Sequence, residues 1–336
     1  MRKPIIITIA VLAALAMSGL FYFRHQVYYS RGEFKEDKVF EITKGEGNAQ
    51  ISSKLSEEGL ISGQSFFYFY LRSHGLLNKI LPGKYELNGN MSIPEIALRI
   101  TQEENILPGY AKITFPEGWE SKKMADRLTA NGFDGAGFLE IVKNPSLDIT
   151  GKFEFLKGKK NLEGYLFPDT YFFAKNTSTE KIILKMLDNF NGKLTSETRE
   201  AIKNQKKAIA DIITMASIVE REVRSNEDRK IVSGIFWERI KNGQALQSCA
   251  TLSFILGTNK KQYSVADTQI KSLYNTYLNR GLPPGSISNP GLSAIQAAIY
   301  PEDSRFNYFL SDPETGQTIF AKNLAEHNAN KAKYGL

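Results

Sequence analysis

Cysteine and histidine are nearly absent from this chain of 336 residues, which has one Cys and three His. A lone Cys249 excludes an internal disulfide framework and a Cys-based metal site, and the dispersed His25, His74 and His327 do not make a His-rich centre. Cys249 itself is read as a small buried apolar residue rather than as a nucleophile. Two catalytic signatures are also missing: the phosphate-cradling Gly-x-x-x-x-Gly-Lys loop and the Gly-x-Ser-x-Gly nucleophile elbow. Charge is neither extreme nor clustered. With 24% charged and 42% hydrophobic residues the composition is that of a folded globular protein. The net charge of +7 suits nucleic acid, an anionic membrane or an acidic glycan and does not choose among them. Lys157–Lys160 and Lys203–Lys207 read as solvated faces, since no long basic arm accompanies them.

One long hydrophobic run is present. Pro4–Phe23 carries no charge and only Thr8 and Ser18 as clearly polar side chains, and about 20 apolar residues are what a helix needs to cross a bilayer core. Ala14-Leu15-Ala16 mimics a signal-peptide cleavage site. The run continues past it, however, through Leu20, Phe21, Tyr22 and Phe23, where aromatics suit a membrane interface. The expectation is a tail at 1–3, an uncleaved anchor at 4–23 and a polar tether at 24–38. Arg2 and Lys3 favour the N-terminus inside, with Arg24 and Arg31 weakening the asymmetry. The chain is then a single-pass protein of the cytoplasmic membrane, with everything beyond the anchor outside the cytoplasm.

A small module is expected at 39–104. Val39–Ile42 alternates as a short strand, and Ile51, Leu55 and Leu60 follow a helical period with Gly59 at its end. A second helix is expected over Gln64–Leu77, a return strand over Lys84–Leu87, and a helix over Ile93–Thr101 capped by Ser92 with Glu95 at its third position. Phe40-Glu41-Ile42, Gly45-Glu46-Gly47 and Ile51, Leu55, Gly59 find a parallel in Lys112-Ile113-Thr114, Pro116-Glu117-Gly118 and Met124, Leu128, Gly132, as two strand–turn–helix units would. The larger domain, 105–336, promises helices over Ala208–Val223 and Asp228–Asn242, the latter stopped by Gly243. A Gly/Pro-rich loop at Gly281–Gly291, a short helix over Leu292–Ala298 and paired strands at Asn307–Leu310 and Thr318–Phe320 follow. Strands and helices without regular alternation point to an α+β fold.

Glu220 is the sharpest local anomaly. Ile213, Ala216 and Val223 lie at offsets −7, −4 and +3 from it, so a helix sets the carboxyl on an apolar stripe. Desolvation raises a carboxyl pKa, the condition for a general acid in glycoside cleavage. The bland alternative is a helix-end glutamate paired with Arg221 or Arg224. Glu222, two residues on, is expected to face water. Leu162–Tyr171 gathers Glu163, Tyr165, Asp169 and Tyr171, and Ser272–Tyr277 adds Tyr274, Asn275 and Tyr277. Such carboxylates, amides and aromatic faces suit sugar rings, and equally suit rigid turns.

The chain resembles the MltG-like (YceG-like) endolytic murein transglycosylases. The match is carried by Leu162–Tyr171, Ala216–Glu222, Leu246-Gln247-Ser248, Tyr274–Tyr277 and Gly281–Gly285, extended by Asn289-Pro290-Gly291, Ala297-Ala298 and Asn323–Asn328. The resemblance implies a LysM-like module at 39–104 and a YceG-like catalytic domain beyond it, with Glu220 as the catalytic acid and base. Glu163, Tyr165, Asp169, Tyr171, Gln247, Ser248, Tyr274, Asn275 and Tyr277 are the candidates for substrate binding. It implies peptidoglycan glycan strands as substrate, cell-wall synthesis machinery as a partner, no nucleic acid and no metal or organic cofactor. The implied product is a 1,6-anhydro end on N-acetylmuramic acid, from cleavage that terminates or trims nascent strands. Many relatives carry an aspartate where this chain has Cys249. Two alternatives stay open: a hydrolytic muramidase with Glu163, Asp169 or Glu222 as second carboxylate, and a wall-binding scaffold without activity.

Overall fold

A computed structural model describes residues 2–335 except 31, 34, 106–109, 259, 261, 313 and 314, with the backbone alone at 2–13, 104, 110 and 174. The fold is mixed α+β, as the sequence indicates. It divides into two units, Met1–Lys112 with Tyr171–Lys175, and Ile113–Thr170 with Asn176–Leu336.

The first unit opens with helix α1 (Arg2–Tyr28). The expected span Pro4–Phe23 falls inside it, and the side chains of 4–13 lie outside the described residues. Among the described residues no helix is long and apolar enough to cross a membrane. Residues 24–28, expected to begin a tether, are instead the last turns of α1. Val27 is 1% exposed in the core of the unit, and Phe23 packs on Phe66 and Phe69 with ring centroids 5.9 and 5.1 Å away. An apolar residue with such partners is stabilised more by continuing the helix than by solvating it, by roughly 1.5–3 kcal/mol for a buried Val.

Then follow β1 (Lys38–Ile42), α2 (Asn48–Glu57), α3 (Gln64–Ser73), β2 (Gly83–Leu87) and α4 (Ile93–Thr101). The strands pair antiparallel with Phe40 opposite Tyr85 and Ile42 opposite Gly83. Their period-2 alternation sends Phe40, Ile42, Tyr85 and Leu87 into the core, where Ile51, Leu55, Phe67, Leu71 and Ile96 meet them. Ser92 and Glu95 form the expected capping box: the Ser92 hydroxyl accepts from the Glu95 N–H at 3.4 Å, and the Glu95 carboxylate from the Ser92 N–H at 2.7 Å.

Strand–helix–helix order recurs at β3 (Tyr110–Thr114), α5 (Ser121–Ala130) and α6 (Gly135–Lys143), and β3 pairs with β4 (Thr170–Ala174). Gly59 and Gly132, aligned by the sequence parallel, take φ of +68° and +83° just past α2 and α5, a left-handed turn that glycine alone adopts freely.

Between β3 and β4 lies the short α7 (Leu147–Thr150). After β4 come α8 (Thr179–Lys193), α9 (Ser196–Asn204), α10 (Ile209–Glu222), α11 (Asn226–Lys241), α12 (Cys249–Leu256), α13 (Val265–Thr268) and α14 (Leu292–Ile299). The hairpin β5 (Tyr308–Ser311) and β6 (Thr318–Ala321) precedes α15 (Leu324–Lys333). The second unit is organised around α10. Every residue from Ile212 to Val219 is buried, and α14, α11 and α12 pack against it. A helix covered on all sides is a core helix rather than an amphipathic surface one.

Candidate active site

Glu220 sits near the C-terminal end of α10, where the covering elements part. Ile213, Ala216 and Val223 are all buried, so the stripe beneath it is apolar as its spacing predicts. Its side chain is 5% exposed. Oε1 accepts from Arg229 Nη2 of α11 at 2.5 Å, and Oε2 accepts from the Gly291 N–H at the start of α14 at 2.9 Å. Burial pushes this carboxyl up to about 7. The Gly291 N–H and the Arg229 guanidinium oppose that rise, and the charge of Glu117 adds to it. Desolvation therefore outweighs an ion pair and a hydrogen bond, and the group exchanges its proton near neutral pH.

The scaffold around Glu220 is the segment Asn289-Pro290-Gly291. Asn289 is fully buried; its Oδ1 accepts from the Gly164 and Leu166 N–H groups at 2.9 and 3.0 Å, and its Nδ2 donates to Glu163 at 2.7 Å. Its backbone pairs with the turn before α5: Gly118 N–H donates to Asn289 O, and Asn289 N–H to Trp119 O, both at 2.9 Å. That turn brings Glu117 to the site. A Cβ built on Gly291 would meet the Glu117 carboxyl carbon at 2.0 Å, and one on Gly118 (φ +74°) would meet Glu220 Cγ at 3.3 Å. Two glycines thus let two glutamates lie against one short stretch of backbone.

Each residue marked in the sequence has a definite place. Glu163 accepts from the Ser121 hydroxyl at 2.5 Å as well as from Asn289, and burial holds its carboxyl up at about 7. With Tyr165, Thr214, Tyr274 and Ser286 it lines a cavity of about 310 Å³. Tyr165 otherwise packs on Phe155 and Phe190. Asp169 accepts from Thr170 N–H at 2.7 Å and Asn189 Nδ2 at 2.9 Å. Tyr171 belongs to the first unit, fully buried, stacked on Phe173 and covered by Lys44.

Gln247, Ser248, Asn275 and Tyr277 form a second group. Ser248 and Gln247 N–H donate to Thr276, each at 3.0 Å, and Asn275 is fully buried, its amide committed to the backbone of Thr268, Ile270 and Tyr277. At its centre is Glu222, which does not face water. It accepts from the Ser248 hydroxyl and from Ala250 N–H at 3.1 Å, and burial raises its pKa against those bonds. The reason is the all-round cover of α10: α12 closes the face that a two-sided helix would leave to solvent. Cys249 is likewise not buried but exposed, with Sγ 3.1 Å from Tyr277 Oη.

Of Arg221 and Arg224, the two arginines with which a helix-end Glu220 could pair, Arg221 is the nearer in sequence. It binds Glu120 and the Ser253 hydroxyl instead, each at 2.7 Å. Arg229 and Glu117 are the site residues that the sequence left unmarked. Arg229 shows no local signal beyond a basic residue in α11; Glu117 was visible only as part of a turn. Arg229 is 8% exposed, and its buried Nε has no partner among the described residues. Among the described residues no group of three or more His, Cys, Asp or Glu is placed to hold a metal ion.

A buried carboxyl raised towards neutrality, with an arginine and a second carboxylate beside it, is an arrangement able to give and take a proton near neutral pH, here on an α+β scaffold. The YceG-like family model matches residues 40–333, and the chain belongs to that family. It is 33% identical over 306 residues to the endolytic murein transglycosylase of Bacillus subtilis (strain 168), covering 87% of this chain and 83% of that one. It is 28% identical over 361 aligned positions to the endolytic murein transglycosylase of Streptococcus pneumoniae serotype 2, where 99% of this chain spans 65% of the relative's length. The crystal structure of a yceG-like protein from Listeria monocytogenes superposes with a TM-score of 0.60 at 33% identity, over 88% of this chain and all of the other.

Proposed function

We propose that the chain is a lytic transglycosylase that cuts peptidoglycan glycan strands internally, with Glu220 as acid and then base. The observation that carries it is a carboxyl raised to about 7 on the family's Ala-Ser-Ile-Val-Glu segment and held between Arg229 and the Gly291 N–H. Protonated Glu220 donates to the oxygen between N-acetylmuramic acid and N-acetylglucosamine as the C1–O bond breaks. The carboxylate then takes the proton of the muramic acid 6-hydroxyl while that oxygen closes on C1. The acid is regenerated, no water is consumed, and a 1,6-anhydro end remains. An internal nucleophile is already held close, which lets one carboxyl serve both steps.

The remaining functional expectations belong to the same proposal. Pro4–Phe23 anchors the chain in the cytoplasmic membrane, supported by its length and lack of charge. The unit at 39–104 engages glycan as a LysM-like module, supported by its strand–helix–helix–strand order. Cleavage beside a membrane trims nascent strands next to the machinery that makes them.

One observation favours hydrolysis as a second reading: Glu117 supplies a second carboxylate beside Glu220, whereas Glu163, Asp169 and Glu222 are each tied into structural hydrogen bonds. Digestion in oxygen-18 water decides. The proposal expects no label at the new muramic acid end and no reduction of that end by borohydride. Oxygen-18 at C1 with a reducible terminus overturns it in favour of a muramidase, and no cleavage at all favours a scaffold.

A further inference from the structure

The turn Pro116-Glu117-Gly118 does more than link β3 to α5. It is clamped to Asn289 by the paired backbone bonds at Gly118 and Trp119, and Gly118 takes a left-handed φ of +74° that lays it against Glu220 Cγ. The Glu117 carboxyl is thereby placed over the Cα of Gly291, in space that any side chain at 291 would fill. The Gly291 N–H is the group that binds Glu220 Oε2. The two carboxyls therefore flank one glycine. They differ in environment: Glu117 is exposed, whereas the Glu220 side chain is 5% exposed. The charge of Glu117 beside it disfavours the ionised form of Glu220.

We propose that Glu117 is a positioning residue of the reaction, whose carboxyl acts through Glu220 by holding the acid proton on it. This rests on Glu220 being the general acid. The groups facing Glu220 are then three: Arg229 from α11, which favours its charged form; the Gly291 N–H at the start of α14, which does the same; and Glu117 from the turn before α5, which opposes both. Without Glu117, nothing but burial offsets the guanidinium. The apolar face of α10 supplies the desolvation, and the turn supplies the fixed negative charge that keeps the paired glutamate useful as an acid at neutral pH. Glycine at 291 leaves open the space beside its Cα that the Glu117 carboxyl occupies, while its N–H binds Glu220.

The test is the pH profile of kcat/KM for the full chain in detergent, on purified uncrosslinked glycan strands, comparing the parent with Glu117→Gln and Glu117→Asp. Loss of the negative charge lets Glu220 ionise at lower pH. The alkaline limb of Glu117→Gln is therefore expected to move down, by less than about one pH unit because Glu117 is the smallest of the four influences on Glu220, with activity retained on the acid side. Glu117→Asp, which keeps the charge, should hold the limb near the parent position, and added salt should shrink the difference because Glu117 is exposed. A Glu117→Gln profile that superimposes on the parent, or is lowered equally at every pH with an unmoved midpoint, overturns the proposal. Glu220→Gln in the same assay separates the two readings: activity there refutes Glu220 as the acid, whatever Glu117 does. Circular dichroism of each variant verifies the fold, which an exposed side chain should not disturb.

Discussion

The environment of Glu220 has a consequence for stability that can be isolated by one substitution, Glu220→Gln. In the folded chain its carboxyl is raised from an ordinary 4.5 to about 7, chiefly by burial. Below about 4.5 it is protonated in both folded and unfolded states and costs nothing. Between 4.5 and 7 the folded state holds a proton that the unfolded state has released, so stability falls as pH rises through this window. At roughly 1.4 kcal/mol per pH unit, the loss reaches about 3 kcal/mol by pH 8. Glutamine has no proton to lose. The charge pairing with Arg229 forms only as residue 220 ionises, so it is already contained in the value of about 7. The difference between parent and Glu220→Gln should therefore shift by about 3 kcal/mol towards the variant from pH 4.5 to pH 8. Other titrating groups, including Glu163, are common to both proteins and cancel. Urea unfolding followed by tryptophan fluorescence is the assay, because Trp119 and Trp237 both lie in the second unit and are the chain's two tryptophans. A difference that stays flat across that range would refute the desolvation argument. In the same variant, cleavage should drop by at least the factor of about 10²–10⁴ ascribed to a general acid.

Asn289→Ala should destabilise the second unit by more than about 3 kcal/mol, since the buried Gly164 and Leu166 N–H groups lose their acceptor and Glu163 a donor; the same urea assay measures it. Ser248→Ala should cost about 1–3 kcal/mol by leaving the half-buried Glu222 with one bond fewer, and a loss under about 0.5 kcal/mol would mean that water replaces the hydroxyl. Arg229→Lys should not retain the parent's pH–activity profile, because one ammonium cannot hold both Glu220, bound by Nη2, and Asn226, bound by Nη1. N-terminal sequencing of the mature chain should read from Met1 or its neighbour, and a start just after Ala16 would identify a cleaved leader instead of an anchor.

What the sequence made legible follows from the range of its periodicities. Strand alternation at Phe40 and Ile42, the Ser92–Glu95 cap and the stop at Gly243 are encoded within a few residues, and each appears where it was read. Glu220 was visible for the same reason: its apolar stripe is local. The misreadings share the opposite cause. Glu222 reads as solvent-facing on a two-sided helix, and only tertiary packing brings α12 and Ser248 over the far face of α10. Residues 24–28 read as the start of the tether at 24–38 because their stretch is polar, and the core that buries Val27 is assembled from distant segments.

Glu117 shows the limit most clearly. Its turn was seen, as the partner of Gly45-Glu46-Gly47 in a weak internal parallel, so the residue was on view with a structural role already assigned. What no spacing within the chain reveals is that residues 117, 220 and 291 meet. Each comes from a different element, and the contact depends on Gly118 and Gly291 having no side chain. Acid–base sites are built by placing one carboxyl in an apolar setting and another in a wet one, a few ångströms apart. The apolar half can be read from a helix period. The wet half lies on a loop, where sequence has no period, and it is recovered only from the backbone bonds that pin the loop to Asn289.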